Sequence, residues 1–368
     1  MSDTIPISEP FLTGNERKYV NECVETGWIS SQGAFIGRFE QMLKDYHGGA
    51  HAVATSNCTT ALHLALKILD VGPGDEVICP DLTFIAPANM VVLSGATLVL
   101  CDVDPQTLAL DPAQVASRIT PRTKAIIAVH QFGHAAPMDE LMALAAPRGI
   151  RIIEDNAETP GGRYKGRLLG TIGDVSCFSF FANKVITTGE GGAVITPDEG
   201  LANRCRELRD HGMSRFKKYH HVELGYNYRM TNLQAAIGVA QWEGFDQILE
   251  TRMQQMRRYY AALDGVKGLT TRRFAEWCTP VHWLTTITLD DGLSRDGLIA
   301  FMKEHGVDCR PMINPVHAAE HFKAHYNAAE FPVSIRMSAQ SAHLPSGTSL
   351  TEAQIDRVVG LVRDYVGR

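Results

Sequence analysis

Lys184 closes the apolar run Ser179-Phe180-Phe181-Ala182-Asn183 and enters the loop Thr187-Thr188-Gly189-Glu190-Gly191-Gly192. A lone lysine there is poorly placed for a surface charge. An amine held near apolar neighbours gives up its proton more readily, which is what a Schiff-base lysine needs. The competing reading is a loop lysine that snorkels to solvent. The glycines argue against it, because they let the backbone approach a ligand closely. Upstream, Ile152-Ile153-Glu154-Asp155 is a β-branched run ending in acid. A carboxylate at a strand end can pair with a pyridinium nitrogen and keep the ring an electron sink. It can also simply cap a helix. Lysine and aspartate together point to pyridoxal 5′-phosphate.

Further groups fit that cofactor. In Thr55-Ser56-Asn57-Cys58-Thr59-Thr60-Ala61, small hydroxyl residues open a helix. Free N–H groups and the positive dipole end make such a start an anion cradle, with plain capping by Ser56 or Asn57 as the alternative. Phe84 could stack on a pyridine ring or fill a core. Gly225-Tyr226-Asn227-Tyr228-Arg229-Met230-Thr231 is a short aromatic loop ahead of a capped helix, either a binding loop or a structural turn. His317, His321 and His325 have the spacing of one helix face, but no cysteine or carboxylate set converges on them, so no metal site is expected. His317 follows Arg310-Pro311-Met312-Ile313-Asn314-Pro315, which also reads as an irregular loop facing substrate. No Ser-His-Asp set, G-x-S-x-G element or Walker loop occurs.

These residues need a scaffold. Runs at 76–79, 97–100, 125–129 and 151–153 are almost continuously apolar, as in a sheet covered on both faces. Leu62, Ala65, Leu66 and Leu69 keep helical spacing between them. The alternation predicts an α/β fold with mostly parallel strands. Thr231-Asn232-Leu233-Gln234 and Thr351-Glu352-Ala353-Gln354 are capping boxes that announce helices. The first is expected to run into the charged, Met-rich segment 252–260 and bridge to a smaller α+β unit. There 281–289 reads as a strand and 296–305 as a helix. No Pro/Gly/Ser linker intervenes, so the expected units, 1–244 with the N-terminal segment and 245–368, should pack together.

The chain has 368 residues and a formal net charge of −6. That balance gives no support for binding nucleic acid or an anionic membrane. No apolar run approaches a membrane span, and no secretory signal is visible at the start. Eight cysteines without a C-x-x-C pair read as reduced thiols of a cytoplasmic protein.

The motifs in combination resemble the DegT/DnrJ/EryC1/StrS family of sugar aminotransferases, a branch of the fold type I PLP-dependent transferases. The likeness runs over nearly the whole chain. It rests on Gly27-Trp28-Ile29-Ser30-Ser31, Gly72-Pro73-Gly74-Asp75-Glu76-Val77, Glu154-Asp155, the run from Phe178 to Lys184, Thr187 to Gly192, and Gly225 to Arg229. The resemblance implies a large α/β domain with a mostly parallel sheet and a smaller C-terminal α+β domain. It implies that Lys184 bonds the cofactor and then shuttles the proton between Cα and C4′. It puts Asp155 on the pyridine nitrogen, Phe84 on the ring face and Glu158 near O3′. Cys58, Thr59 and Ser179 would hold the phosphate, and Asn227 would reach the phosphate of a neighbouring subunit, giving a homodimer with two shared sites. Trp28, Ser30, Lys218, Tyr226, Arg229, Arg310 and His317 are the implied substrate-binding residues. Lysine rather than histidine at position 184 favours transamination over dehydration. The implied reaction carries an amino group from L-glutamate to C4 of a nucleotide-linked 4-keto-6-deoxysugar, with GDP-4-keto-6-deoxymannose as the acceptor the likeness favours. Two alternatives stand beside it: a cyclic ketone without a nucleotide, and a PLP-fold regulatory protein without turnover.

Overall fold

The computed structural model describes residues 4–12 and 14–367. The apolar runs become strands of one seven-stranded sheet: β1 (His51–Thr55), β2 (Glu76–Pro80), β3 (Thr97–Cys101), β4 (Thr123–Val129), β5 (Arg151–Asp155), β6 (Val175–Ser179) and β7 (Gly192–Thr196). Every residue of β2, β6 and β7 is buried, which is why their sequences do not alternate with polar residues. In β7, Ala193 and Ile195 join the core on one face, with Phe39 and Phe178. Val194 between them joins the core on the other, with Leu62 and Val77. That is the period of two of a strand.

The strand order is β1-β7-β6-β5-β4-β2-β3. Only β7 runs antiparallel to its neighbours, and the other pairings are parallel. Six strands therefore deliver their C-terminal ends to one edge, where ligands bind in open α/β sheets.

Helices start where their caps predict. In α3 (Cys58–Ile68), the Asn57 side chain accepts the Thr60 N–H while the Thr60 side chain reaches back to Asn57. Helices α1 (Glu16–Thr26) and α2 (Ala34–Tyr46) precede it. Thr231 with Gln234 caps α4 (Asn232–Glu243). The long helix expected beyond Thr231 is broken at Gly244, after which α5 (Phe245–Leu263) begins.

A second, antiparallel sheet has the order β8 (Leu269–Thr271), β9 (Thr285–Leu289), β11 (Ser341–Leu344), β10 (Arg310–Pro311). It packs with α5, α6 (Arg295–Glu304) and α7 (Glu352–Val366) around Tyr259, Leu298, Met302, Ile355 and Val362. The strand expected over 281–289 begins only at Thr285. Residues 281–284 leave the sheet because Val281 N–H donates to Gly133 O at 3.0 Å instead. We place the division between the two units at Gly244. Two stretches pack across it: Ile5 bridges to Val307 in the second core, and Val316, Phe322 and Phe331 sit in the core of the large sheet. Among the described residues, no helix is long and apolar enough to cross a membrane.

Candidate active site

The ends of β5, β6 and β1 and the start of β7 converge. Asp155 closes β5, and Glu158 follows three residues later. Ser179 closes β6, with Lys184 in the loop beyond. Thr55 closes β1 and leads into the start of α3. Thr55 and Ser179 both lie opposite Gly192 of β7, so the α3 start and Ser179 flank one residue. A Cβ on Gly192 would stand 2.5 Å from the carbonyl carbon of Asn57 and 2.7 Å from Cys58 N. The turn can lie this close only over glycine. The N–H groups of the first helical turn have no intrahelical acceptor.

The charges belong together electrostatically. Burial raises the Cys58 thiol well above its ordinary range, Asp155 and Glu158 add to this, and Lys184 opposes it. Burial likewise raises the Asp155 carboxyl, against the Ala157 N–H and Lys184. Oδ1 of Asp155 accepts that N–H at 3.0 Å, which fixes the carboxylate. Burial raises the Glu158 carboxyl too, against Lys184 and the Phe132 N–H. Lys184 Nζ stands 3.6 Å from Glu158 Oε1, so its surroundings are not purely apolar as the sequence suggested.

Glu154 points the other way, as the neighbour of Asp155 on a strand must. It is fully buried. It accepts N–H groups from Gly170, Ile172 and Gly173, the Ser176 hydroxyl and His130 Nε2–H at 3.1 Å. Burial would raise its carboxyl, but these donors outweigh burial and hold it below the ordinary range. His130 Nδ1 accepts the Ala136 N–H, which puts the ring proton on Nε2. This network braces β5 behind Asp155.

Two residues of the site were not read from the sequence. The Trp283 ring centroid lies 3.7 Å from Lys184 Nζ. Phe132 donates its N–H to Glu158 Oε2 at 2.6 Å and lies parallel to Trp283 at 6.1 Å. Phe132 has φ 48° and ψ 42°, a left-handed conformation that costs energy in a non-glycine residue. The segment that turns Trp283 inward reads in the sequence as part of a strand. The signal available was His282-Trp283, a polar and an aromatic residue at the strand's start.

Phe84 is 63% exposed at the same sheet edge, so it is not a core residue and its ring is open to a partner. The expected substrate residues fall into three groups. Trp28 and Ser30 lie on an exposed loop held to the start of α4: Asn232 Nδ2–H donates to Trp28 O and Asn232 N–H to Ser30 O. Lys218, Tyr226, Asn227 and Arg229 belong to an excursion closed by the bridges Asp210↔Asn227 and Thr55↔Arg229. Its tip exposes Phe216 and Tyr219. Within this chain Arg229 is engaged by Asp210 at 2.9 Å and Asn227 at 3.0 Å. Tyr226 stacks on Tyr228 at 4.8 Å. Among the described residues, no hydrogen bond or ion pair joins Lys218 or Asn227 to Lys184, Glu158, Asp155 or Ser179.

Arg310 pairs in register with His343, whose ring meets Phe132 at 4.8 Å. His317 is buried, with Nδ1 2.7 Å from Asp81 Oδ2 and its ring stacked on Phe331. Its segment is a 3-10 turn, Val316–Ala318, not a helix face shared with His321 and His325. Among the described residues, no group of His, Cys, Asp and Glu could hold a metal ion.

A buried carboxylate at a strand end, an open aromatic face, a helix start over glycine and an inward lysine fit pyridoxal phosphate in each of its parts. The fold and site define a PLP-dependent transferase. The DegT/DnrJ/EryC1/StrS aminotransferase family matches residues 10–363. A GDP-perosamine synthase of Caulobacter vibrioides is 45% identical over 98% of both chains. Among solved structures, S. venezuelae DesV in complex with a ketimine intermediate is 34% identical, covers 96% of this chain and 95% of its own, and superposes with TM-score 0.91. The PLP form of Spr1654 of Streptococcus pneumoniae is 26% identical and superposes with TM-score 0.94 over 99% of both chains. The chain belongs to the DegT/DnrJ/EryC1/StrS aminotransferase family. It is a PLP-dependent sugar aminotransferase.

Proposed function

We propose that this enzyme transfers the amino group of L-glutamate to C4 of GDP-4-keto-6-deoxymannose, yielding GDP-perosamine. The similarity that carries this reading is the 45% identity, end to end, with a protein named for that product. Bound in the site, pyridoxal phosphate supplies an electron sink that acidifies the donor's Cα–H and carries its nitrogen to the ketone.

The chain's own residues divide the remaining work. The first-turn N–H groups of α3, at Cys58 and Thr59, and the Ser179 hydroxyl hold the phosphate. Phe84 covers one ring face. Asp155, raised by burial, would hold the cationic ring N–H, which offsets the cost of its buried charge. Glu158 would face the ring hydroxyl. Lys184, whose amine faces Glu158 and Trp283, moves the proton. Asn227 is exposed on an excursion with an apolar tip. In a homodimer it reaches the partner's phosphate site, and Arg229 and Lys218 meet the diphosphate of the acceptor there. Trp28 and Ser30 rim that mouth, with Tyr226 and Arg310 as the outer contacts, while Asp81 holds the buried His317.

The test is isotopic. With the amine of glutamate labelled with 15N and GDP-4-keto-6-deoxymannose as acceptor, the label should appear in a GDP-aminosugar by mass spectrometry. Label that stays in glutamate with this acceptor, but moves to a ketose free of nucleotide, would overturn the reading.

A further inference from the structure

Four residues close a ring around the Lys184 amine. Nζ lies 3.7 Å from the centre of the Trp283 indole and 3.6 Å from Glu158 Oε1. Trp283 lies parallel to Phe132, with 3° between the ring planes. Phe132 N–H returns to the other oxygen of the same Glu158. Indole Nε1–H donates at 3.0 Å to the carbonyl of Asn183, the residue before the lysine. The backbone carbonyl of Trp283 is in turn held by the buried Arg252, which also bonds the His282 and Ser346 carbonyls and the Thr348 hydroxyl. Gly133 lies so close to Val281 that a Cβ there would stand 1.9 Å from Val281 O. The indole is therefore fixed from several sides, on a segment that leaves its sheet to bring it inward.

We propose that Trp283 and Glu158 form a resting site for the Lys184 amine during the part of the cycle in which the lysine is not joined to the cofactor, with Trp283 as a positioning residue for proton transfer. An ammonium bonded to a carboxylate at the usual charge-assisted distance of about 2.7–2.9 Å would be held tightly. Here the carboxylate stands off. The indole face completes the attraction without accepting a directed hydrogen bond. Trp283 is only 8% exposed, so solvent screens the contact little. The amine is kept within reach of the reacting atoms yet free to turn, which a base that must take and return a proton requires.

The experiment compares Trp283→Leu, which removes the aromatic face, with Trp283→Phe, which keeps a face and loses the N–H. In cofactor-free protein, Lys184 is labelled with trinitrobenzenesulfonate and followed by peptide mass spectrometry. The Leu variant should be labelled about five-fold faster than the parent, and the Phe variant within about two-fold. In the loaded enzyme, single turnover with glutamate should slow about ten-fold in the Leu variant. Donor affinity should stay within about two-fold, and the deuterium effect at the donor Cα should rise as proton transfer becomes limiting. A merely structural tryptophan would not move that isotope effect. Labelling of the Leu variant at the parent rate, or equal impairment of both variants, overturns the proposal. Should the Leu variant not fold, the Phe variant decides alone: labelling about five-fold faster than the parent would overturn it.

Discussion

Glu158 divides its two oxygens between two tasks: Oε2 accepts the Phe132 N–H at 2.6 Å, while Oε1 faces Lys184 Nζ at 3.6 Å. One bond is structural and the other contact is electrostatic, so two substitutions separate them. Glu158→Gln keeps an acceptor for Phe132 and loses the charge. It should leave folding stability within about 1 kcal/mol while lowering kcat by about 100-fold. Glu158→Ala also leaves a buried N–H without a partner and should cost about 1–3 kcal/mol in urea unfolding.

Asp155 predicts a split between stability and function. Its carboxyl is raised by burial when no cationic ring faces it. A raised carboxyl makes the charged form costly above its ordinary pKa, so the cofactor-free fold loses stability as pH rises through that window. Asp155→Asn should therefore leave the cofactor-free protein equally or more stable at neutral pH. The loaded variant should turn over at least about 100-fold more slowly. Calorimetry on both forms checks this.

Acid sensitivity should come from buried neutral histidines. Burial lowers His282 and His343 to about 3 and His134 to about 4. In the unfolded chain these rings protonate near pH 6.5. Folded pKa values below unfolded ones mean that stability present above about pH 6.5 is lost as pH falls toward about 4, by ~1.4 kcal/mol per pH unit for each ring. The raised carboxylates act in the opposite sense, so the difference is read on a variant. His282→Gln should flatten the urea-derived slope by about 1.4 kcal/mol per pH unit over that window.

Gly133 is the hinge pin of the Trp283 segment. It has φ +86° and backbone contact with Val281. Gly133→Ala should cost about 2–4 kcal/mol through strain and displacement of residues 281–283. Turnover should fall more than cofactor content.

The proposed sharing of sites between subunits is open to a complementation test. Lys184→Ala and Asn227→Ala should each be nearly inactive. If Asn227 serves the partner's site, a mixed dimer of the two holds one site with both residues intact. Co-refolded mixtures should regain activity, up to about a quarter of the parent.

Much of this was legible because local chemistry and global placement agree. Asp155, Lys184 and the Cys58 turn carry their proposed roles in residue type and in position after apolar runs, and the parallel sheet puts strand ends on one edge. Trp283 and Phe132 were not legible. Phe132 acts through its backbone N–H and a left-handed conformation, neither of which residue type reveals. Trp283 sits where β-rich composition reads as strand, and a contact with a glycine in sequence-distant Gly133 takes it out of the sheet. His317 misled for a related reason: its spacing to His321 and His325 is helical, but the chain there folds as turns around Asp81. The residues on the 210–229 excursion are proposed to serve another copy, and the geometry of one chain does not bring them to Lys184.

Amino transfer to a GDP-linked 4-ketosugar would be reported by the colour of the bound cofactor. Purified enzyme is loaded with pyridoxamine phosphate, GDP-4-keto-6-deoxymannose is added, and the absorbance of the lysine-linked cofactor is followed. Its return, stoichiometric with sites, is the predicted result. No return, in enzyme that glutamate still converts to the amine form, would contradict this acceptor while leaving the aminotransferase intact.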